Sequence, residues 1–209
     1  SLELEKRPVT SSVLSYAGLK DVNTGEVWGG VRSTGLTANV SHDLGGKWGF
    51  WSSADFTLYK GQNVKDNQRY RVMGGTYYRV ISNQEREFTV GASLLHWAYQ
   101  YNLSEETWGH GGYYSPQNYV GLSVPLSHDA RWGDDFVYRL KTGVSYSQTK
   151  TQAIDFFPND GDLQIAAYDR ESITGVDPVF EGETSSGVSY NLESSFEYIK
   201  AVGQGFIDA

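Results

Sequence analysis

The stretch DFVYRLKTGVSYSQT, residues 135–149, decides the fold class because it alternates with period two. Phe136, Tyr138, Leu140, Thr142, Val144 and Tyr146 fall on one side, and Arg139, Lys141, Ser145, Ser147 and Thr149 on the other. Successive side chains of a β-strand point to opposite faces, so this is a long strand with one oily and one wet face. The same alternation returns in SSGVSYNLESSFEYI, residues 185–199, where Val188, Tyr190, Leu192, Phe196 and Tyr198 oppose Ser189, Asn191, Glu193, Ser195 and Glu197. In RYRVMGGTYYRV, residues 69–80, Arg69, Arg71 and Arg79 share a face with Tyr77. In GLTANVS, residues 35–41, Leu36, Ala38 and Val40 oppose Thr37, Asn39 and Ser41.

Composition supports strands and turns over helices. The 209 residues include 24 Gly, 15 Tyr, 9 Phe and 6 Trp, with little apolar periodicity at helical spacing. No stretch approaches the ~20 apolar residues of a membrane-spanning helix. The opening SLELEKRPVT has no apolar core of a signal peptide. The absence of cysteine fits cytosolic and envelope proteins alike. A net charge of -8 argues against nucleic acid as a partner, because phosphate backbones are bound by basic faces.

Strands are expected near residues 2–6, 11–19, 29–42, 47–59, 69–82, 87–101, 117–128, 135–150 and 185–200, with the start of a tenth at Phe206. Connectors alternate in length. RPVT, LGGK, NQER and DARWGD are short or middling, whereas KDVNTGEVW, KGQNVKDNQ, NLSEETWGHGGYYSP and the run from Thr151 to Thr184 are long. Long strands joined by short turns at one end and longer loops at the other are the rhythm of a transmembrane β-barrel. Aromatic residues are expected to form two belts, with Trp48, Phe88, Trp132 and Phe136 beside the short turns. Trp28, Tyr59, Tyr70, Tyr99, Tyr101, Tyr119 and Tyr146 lie toward the long loops. The expected fold is therefore all-β, an antiparallel porin-like barrel of which residues 1–209 supply nine to ten strands as one unit.

Three stretches, RPVTSSVLSYAGLKDVNTGEVWGGVRSTG, KGQNVKDNQRYRVMGGTYYRVI and TWGHGGYYSPQNYVGLSVPLS, resemble the C-terminal region of bacterial cellulose synthase operon protein C. The resemblance is spread over most of the chain and is thinnest between Thr151 and Thr184. It implies an outer-membrane barrel of about 16 strands that exports cellulose, preceded by a periplasmic arm of tetratricopeptide repeats. Neither is complete in this sequence: no ~34-residue helical repeat occurs, and AVGQGFIDA is not the aromatic-ended closing strand of such a barrel. The chain thus reads as part of a larger barrel. The implied partners are a cellulose-like glucan, outer-membrane lipid, and the periplasmic and inner-membrane components of the synthase.

Catalysis finds little support. A glycosidase needs two carboxyls roughly 5 to 9.5 Å apart, whereas Glu193 and Glu197 on one strand stand ~13 Å apart. Glu3 and Glu5 are close enough but have no companion motif, and Glu105, Glu106, Asp134 and Asp135 read as solvated charge. His42, His96, His110 and His128 lack metal-ligand spacing, and GQGFID at 203–208 has no βαβ context for a dinucleotide. PNDGD, with Asp160 and Asp162, lacks the remaining positions of a calcium loop and reads as polar outer loop. No catalytic residue, metal ligand or cofactor site is expected.

The polar faces supply the functional candidates. If the apolar faces meet lipid, Arg69, Arg71, Arg79, Arg139, Lys141, Asn191, Glu193 and Glu197 line a pore, or else pair with one another to hold its shape. In GHGGYYSPQNY, residues 109–119, Trp108 just before the stretch, with His110, Tyr113 and Tyr114, can fold over the mouth and offer flat, polar-edged surfaces to a sugar chain, or plug the loop on itself. Two functions follow: a passive polysaccharide channel in the bacterial outer membrane, or a soluble β-sandwich that binds or cleaves carbohydrate.

Overall fold

The computed structural model of the protein describes residues 1–9, 18–20, 22, 25–43, 45–133 and 135–198. Its main element is one antiparallel sheet. The strands are β1 (Leu2–Pro8), β2 (Leu19–Lys20), β3 (Val27–His42), β4 (Trp48–Gln62), β5 (Asn67–Ser82), β6 (Arg86–Tyr99), β7 (Asn118–Trp132) and β8 (Phe136–Lys150). A small ribbon of β9 (Ile154–Asp155) and β10 (Val179–Phe180) flanks helix α1 (Gly161–Thr174), and β11 (Thr184–Tyr198) completes the sheet. The order across the sheet is β1-β3-β4-β5-β6-β7-β8-β11, with β2 pairing the start of β3. Among the described residues the sheet does not close on itself, and β1 and β11 are its edges. No helix among them is long and apolar enough to cross a membrane.

The alternation read in the sequence survives across every pairing. Thr37, Asp55, Arg71, Trp97 and Tyr119 share one row, as do Leu36, Phe56, Tyr70 and Ala98 on the opposite face. The register therefore places the odd-numbered residues of β3–β8 and β11 on one mixed polar face and the even-numbered ones on an apolar face, apart from two bulges. The first bulge lies between Gly29 and Arg32, where Gly29 and Gly30 have φ of 103° and 60°. Such angles suit glycine, and the extra residue turns Trp28 onto the polar face. The second, between Arg79 and Ile81, turns Ile81 to the apolar side.

Turns at one end are short: residues 43–47, 83–85 and 133–135. In the second of these Asn83 Oδ1 accepts from the amides of Glu85 (3.0 Å) and Arg86 (2.8 Å), which fixes the hairpin. In the first, Asp43 accepts from Arg79 Nη1 (3.0 Å), Arg79 Nη2 and Tyr77 Oη, and these bonds hold its carboxyl well below the usual range. Within β7, Pro125 cannot donate to the ladder and sits between Gly91 and Gly143. A Cβ on Gly91 would lie 3.0 Å from Pro125 Cγ, so glycine leaves room for the ring.

Several expectations are corrected. The strand expected at 11–19 lies mostly outside the described residues; its last residue, Leu19, begins the two-residue β2, and β1 pairs directly with β3. The connector between β4 and β5 is only Asn63–Asp66, because both strands extend further than alternation alone marks. Tyr59, Tyr99 and Tyr119 are odd-numbered and face the polar side, so only Tyr70 and Tyr146 of the expected outer belt lie in the apolar faces of strands. The run from Thr151 to Thr184 contains α1, whose N-cap Asp160 accepts from Leu163 N (3.0 Å) and whose C-cap Gly175 is left-handed. Its apolar Leu163, Ile165 and Ile173 are exposed and form no single stripe, which is why periodicity concealed it. The strand start at Phe206 lies outside the described residues.

The Tyr77 ring lies across Gly49, closer than any Cβ would permit. Gly49→Val is expected to displace the ring, release Asp43 and destabilise the fold by about 1–3 kcal/mol. The check is a lower midpoint of heat-dependent gel mobility for the full-length variant.

Candidate functional site

The polar face carries three layers, ordered from the long-loop end toward the short turns. At the loop end the connector from Gln100 to Gln117 folds onto the sheet. Its buried Leu103 and Tyr113 join Val31, Tyr59, Val64 and Tyr99 in the only hydrophobic cluster formed by buried residues among those described. Tyr113 stacks on Tyr59 (5.2 Å between centroids, 18°) and tilts against Tyr99 (5.8 Å), geometries favoured by aromatic quadrupoles. Asn67 is the polar hub beneath. Its amide donates to Tyr101 O (2.9 Å) and Tyr113 Oη (3.1 Å), and its Oδ1 accepts from the Gln68 and Tyr101 amides, both at 3.0 Å.

Neighbouring connectors interlock with this loop. Lys65 N donates to Gly109 O (2.8 Å), Thr107 Oγ1 to Phe156 O (2.6 Å), and Lys65 Nζ to Pro158 O (3.0 Å). Gln164 of α1 is buried and bridges Phe157 N and Pro178 O, both at 2.9 Å. His110 is fully buried, and its Nε2 donates to Asp155 O (3.1 Å) while Nδ1 has no partner among the described residues. Burial, aided by the charge of Lys65 and opposed by the Asp155 hydrogen bond, lowers its pKa below 6.5. Burial likewise raises the Tyr113 phenol.

The middle layer is charged. Asp55, with only 3% of its side chain exposed, binds Arg69 Nη2 (2.7 Å) through Oδ1 and Arg71 Nε through Oδ2. The Arg69 guanidinium also sits 5.8–5.9 Å from the ring centres of Tyr59, Trp97 and Tyr99. One carboxylate thus serves two cations. A recess here is lined by Arg7, Ser33, Tyr59, Arg69, Trp97, Tyr99 and Tyr114, with Pro8 and Val9 at its side.

The third layer is a row of serines that only register reveals. Gly75 faces Ser93, Ser93 faces Ser123, Ser123 faces Ser145, and Ser145 faces Ser189. The hydroxyls of Ser93 and Ser123 are 2.6 Å apart. Trp51 faces Gly75 and separates these serines from Ser41 on β3, its indole Nε1 lying 3.0 Å from where a Gly75 Cβ would be. The adjacent row runs from Met73 and Leu95 to Gly121, Ser147 and Gly187, so its side chains become small toward β11.

The sequence candidates are distributed as follows. Arg69 and Arg71 meet at Asp55, whereas Arg79 is at the short-turn rim, bound to Asp43 and 3.8 Å from Glu87. Arg139 is 3.4 Å from Asp129, and both are exposed. Lys141 faces Glu193 across the β8–β11 ladder, Glu197 faces Val137, and Asn191 Oδ1 covers Gly143. All eight lie on the polar face. Of the loop candidates, Tyr114 is exposed, while Tyr113 and His110 are buried within the loop packing and Trp108 packs 6.2 Å from Trp28. Trp28 Nε1 donates to His110 O (2.8 Å). Sequence reasoning missed Asp55, Asn67 and the serine row. Asp55 was legible as a lone carboxylate in the alternation of ADFTLY, but the row needed the pairing of four strands.

A two-faced antiparallel sheet of this length and register is barrel wall, present here as an open segment. A family model described as cellulose synthase operon protein C C-terminus matches residues 1–201. The chain is 39% identical to cellulose synthase operon protein C of Xanthomonas axonopodis pv. citri (strain 306) over 207 residues, 95% of this chain and 14% of that protein. It is 37% identical over 160 residues to the protein of that name from Escherichia coli (strain K12), covering 76% of this chain and 14% of the relative. Identity to cellulose synthase 2 operon protein C of Komagataeibacter xylinus is 31% over 199 residues, 92% of this chain and 14% of the relative. The chain belongs to the cellulose synthase operon protein C family, in its C-terminal region, and spans about one seventh of these relatives' length.

Asn67→Ala strips a partner from the buried Tyr113 hydroxyl, at about 1–3 kcal/mol, and from the part-buried amide and carbonyl of Tyr101. Hydrogen-exchange protection of the amides between 100 and 117 is expected to fall sharply while that of β7 and β8 is kept. The same loop has a pH dependence of defined sign. His110 is neutral when folded, and an opened loop binds a proton once pH drops below 6.5, so loop stability is full above that value and declines below it. Protection factors of these amides, corrected for intrinsic exchange, are expected to decline from pH 7.5 to pH 5, and less so in His110→Gln.

Proposed function

We propose that this region forms part of an outer-membrane channel that guides an exopolysaccharide, most simply cellulose, passively from periplasm to cell surface, without catalysis of its own. The observation that carries this reading is the apolar face. Leu36, Phe56, Val72, Leu94, Leu122, Val144 and Leu192, one from each long strand, are all exposed on the same side. A soluble monomer rarely exposes so large a contiguous patch, and lipid is its natural solvent. Strands of 14 to 16 residues exceed the ~9–11 that a tilted strand needs to cross a bilayer. A chain of aromatic contacts beside the short turns fits an interfacial girdle: Phe88–His128 (5.9 Å), His128–Tyr138 (5.4 Å), Tyr138–Trp132 (6.0 Å) and Phe136–Phe196 (6.2 Å).

The polar face suits a neutral glucan. Serine hydroxyls both donate and accept, so a passing sugar hydroxyl exchanges one partner for the next without entering a deep well. In the recess at the loop end the half-buried Trp97 and the exposed Tyr114 offer stacking surfaces, backed by the buried Tyr59 and Tyr99. The relatives' names place them in cellulose synthase operons, which supports this polymer and the periplasmic and inner-membrane synthase components as partners of the full-length protein.

Ser123→Trp in the full-length protein is expected to lower single-channel conductance in planar bilayers and the glucan released per cell, while Val124→Trp on the apolar face leaves both unchanged. Recovery of the full-length protein in the soluble fraction would refute the channel and favour the carbohydrate-binding sandwich.

A further inference from the structure

The apolar face is not even. Near the short turns Ile81, Phe88, Leu126, His128, Leu140 and Thr142 surround a depression of ≈ 410 Å³ across β5 to β8. Register explains it: Ile81 faces Phe88, Phe88 faces His128, and His128 faces Leu140. The β5 bulge brings Ile81 to this side. Thr142, opposite Leu126, keeps the floor low, and its hydroxyl is turned to the Asn191 carbonyl at 2.9 Å. The one ionisable wall residue is likewise engaged, because His128 Nδ1 pairs with Tyr138 Oη at 3.1 Å while Phe88 meets the imidazole edge-on. The surface offered is therefore mostly carbon. Phe88, Leu126, His128 and Thr142 are only half-exposed, unlike Leu122 and Val124 on the same face, which stand free.

A charge lies at one end of this trough. Arg86 begins β6 on the same face as Phe88, ~7 Å closer to the turn, and is exposed. Trp132 lies exposed at the same rim. An apolar depression with a cation one register row beyond it complements a molecule with an alkyl chain and a phosphate. We propose that it seats one acyl chain of a glycerophospholipid in the leaflet on the short-turn side, with Arg86 on the headgroup phosphate. This rests on the reading that the apolar face meets lipid.

The test uses delipidated full-length protein in mild detergent, titrated with palmitoyl-chain phosphatidylglycerol and followed by native mass spectrometry. One adduct is expected to survive the activation that strips all others. Thr142→Trp fills the trough and is expected to abolish that adduct, and Arg86→Glu to weaken it about tenfold, the loss of a charge-assisted contact. Diacylglycerol with the same chains is expected to bind wild type more weakly and to be insensitive to Arg86→Glu. Heat-dependent gel mobility reports folding of each variant, and Leu126→Phe replaces Thr142→Trp if the latter fails to fold. A wild-type adduct level in the folded trough variant overturns the proposal, as does diacylglycerol binding equal to phosphatidylglycerol. Either result leaves the channel reading intact if the protein still fractionates with membranes, whereas a soluble protein overturns both.

Discussion

Everything in this sheet depends on register. Because side chains alternate with period two, one slipped residue between any two strands would exchange the apolar and polar faces of all that follow. The pairings run from β3 to β8 and on to β11 without such an exchange, and the two bulges fall near strand ends, where they redirect only the few residues beyond them. Short turns closed by local hydrogen bonds, from the Glu85 and Arg86 amides to Asn83 and from the Gly45 amide to Asp43, hold that register at one end.

Given the register, the polar face divides its labour. Aromatic packing and Asn67 anchor the folded loop, Asp55 draws two guanidiniums together, and the serine row leaves open, uncharged space between them and the short-turn rim. The charged groups are mostly engaged with each other, while the small hydroxyls are spread across four strands. That zone therefore presents mostly uncharged hydroxyls, with the fixed charges gathered on either side of it.

The fold was largely legible because alternation is a local signal: the seven long strands follow from segments such as DFVYRLKTGVSYSQT within a few residues. What escaped was non-local. Tyr59 and Tyr99 looked like belt residues from their positions near strand ends, but their parity sends them to the polar face. Ser93, Ser123, Ser145 and Ser189 are unremarkable one by one, and only the pairing across three ladders aligns them. Helix α1 carried its capping signals in Asp160 and Gly175 without the apolar stripe that usually draws attention to them. His110 was correctly placed in the loop, but its burial depends on Asp155 and Phe180, far along the chain.

Pro125 bears on how such a sheet is assembled. Flanked by Gly91 on one strand and Gly143 on the other, its ring fits only in the native alignment. A slip of two residues would preserve the alternation of faces and so pass unnoticed by hydrophobicity. It would, however, drive the ring against the side chains of Thr89 or Ser93 on β6, and of Lys141 or Ser145 on β8. The proline thus acts as a key cut for one lock, discriminating against the misaligned hairpins that face polarity alone cannot reject.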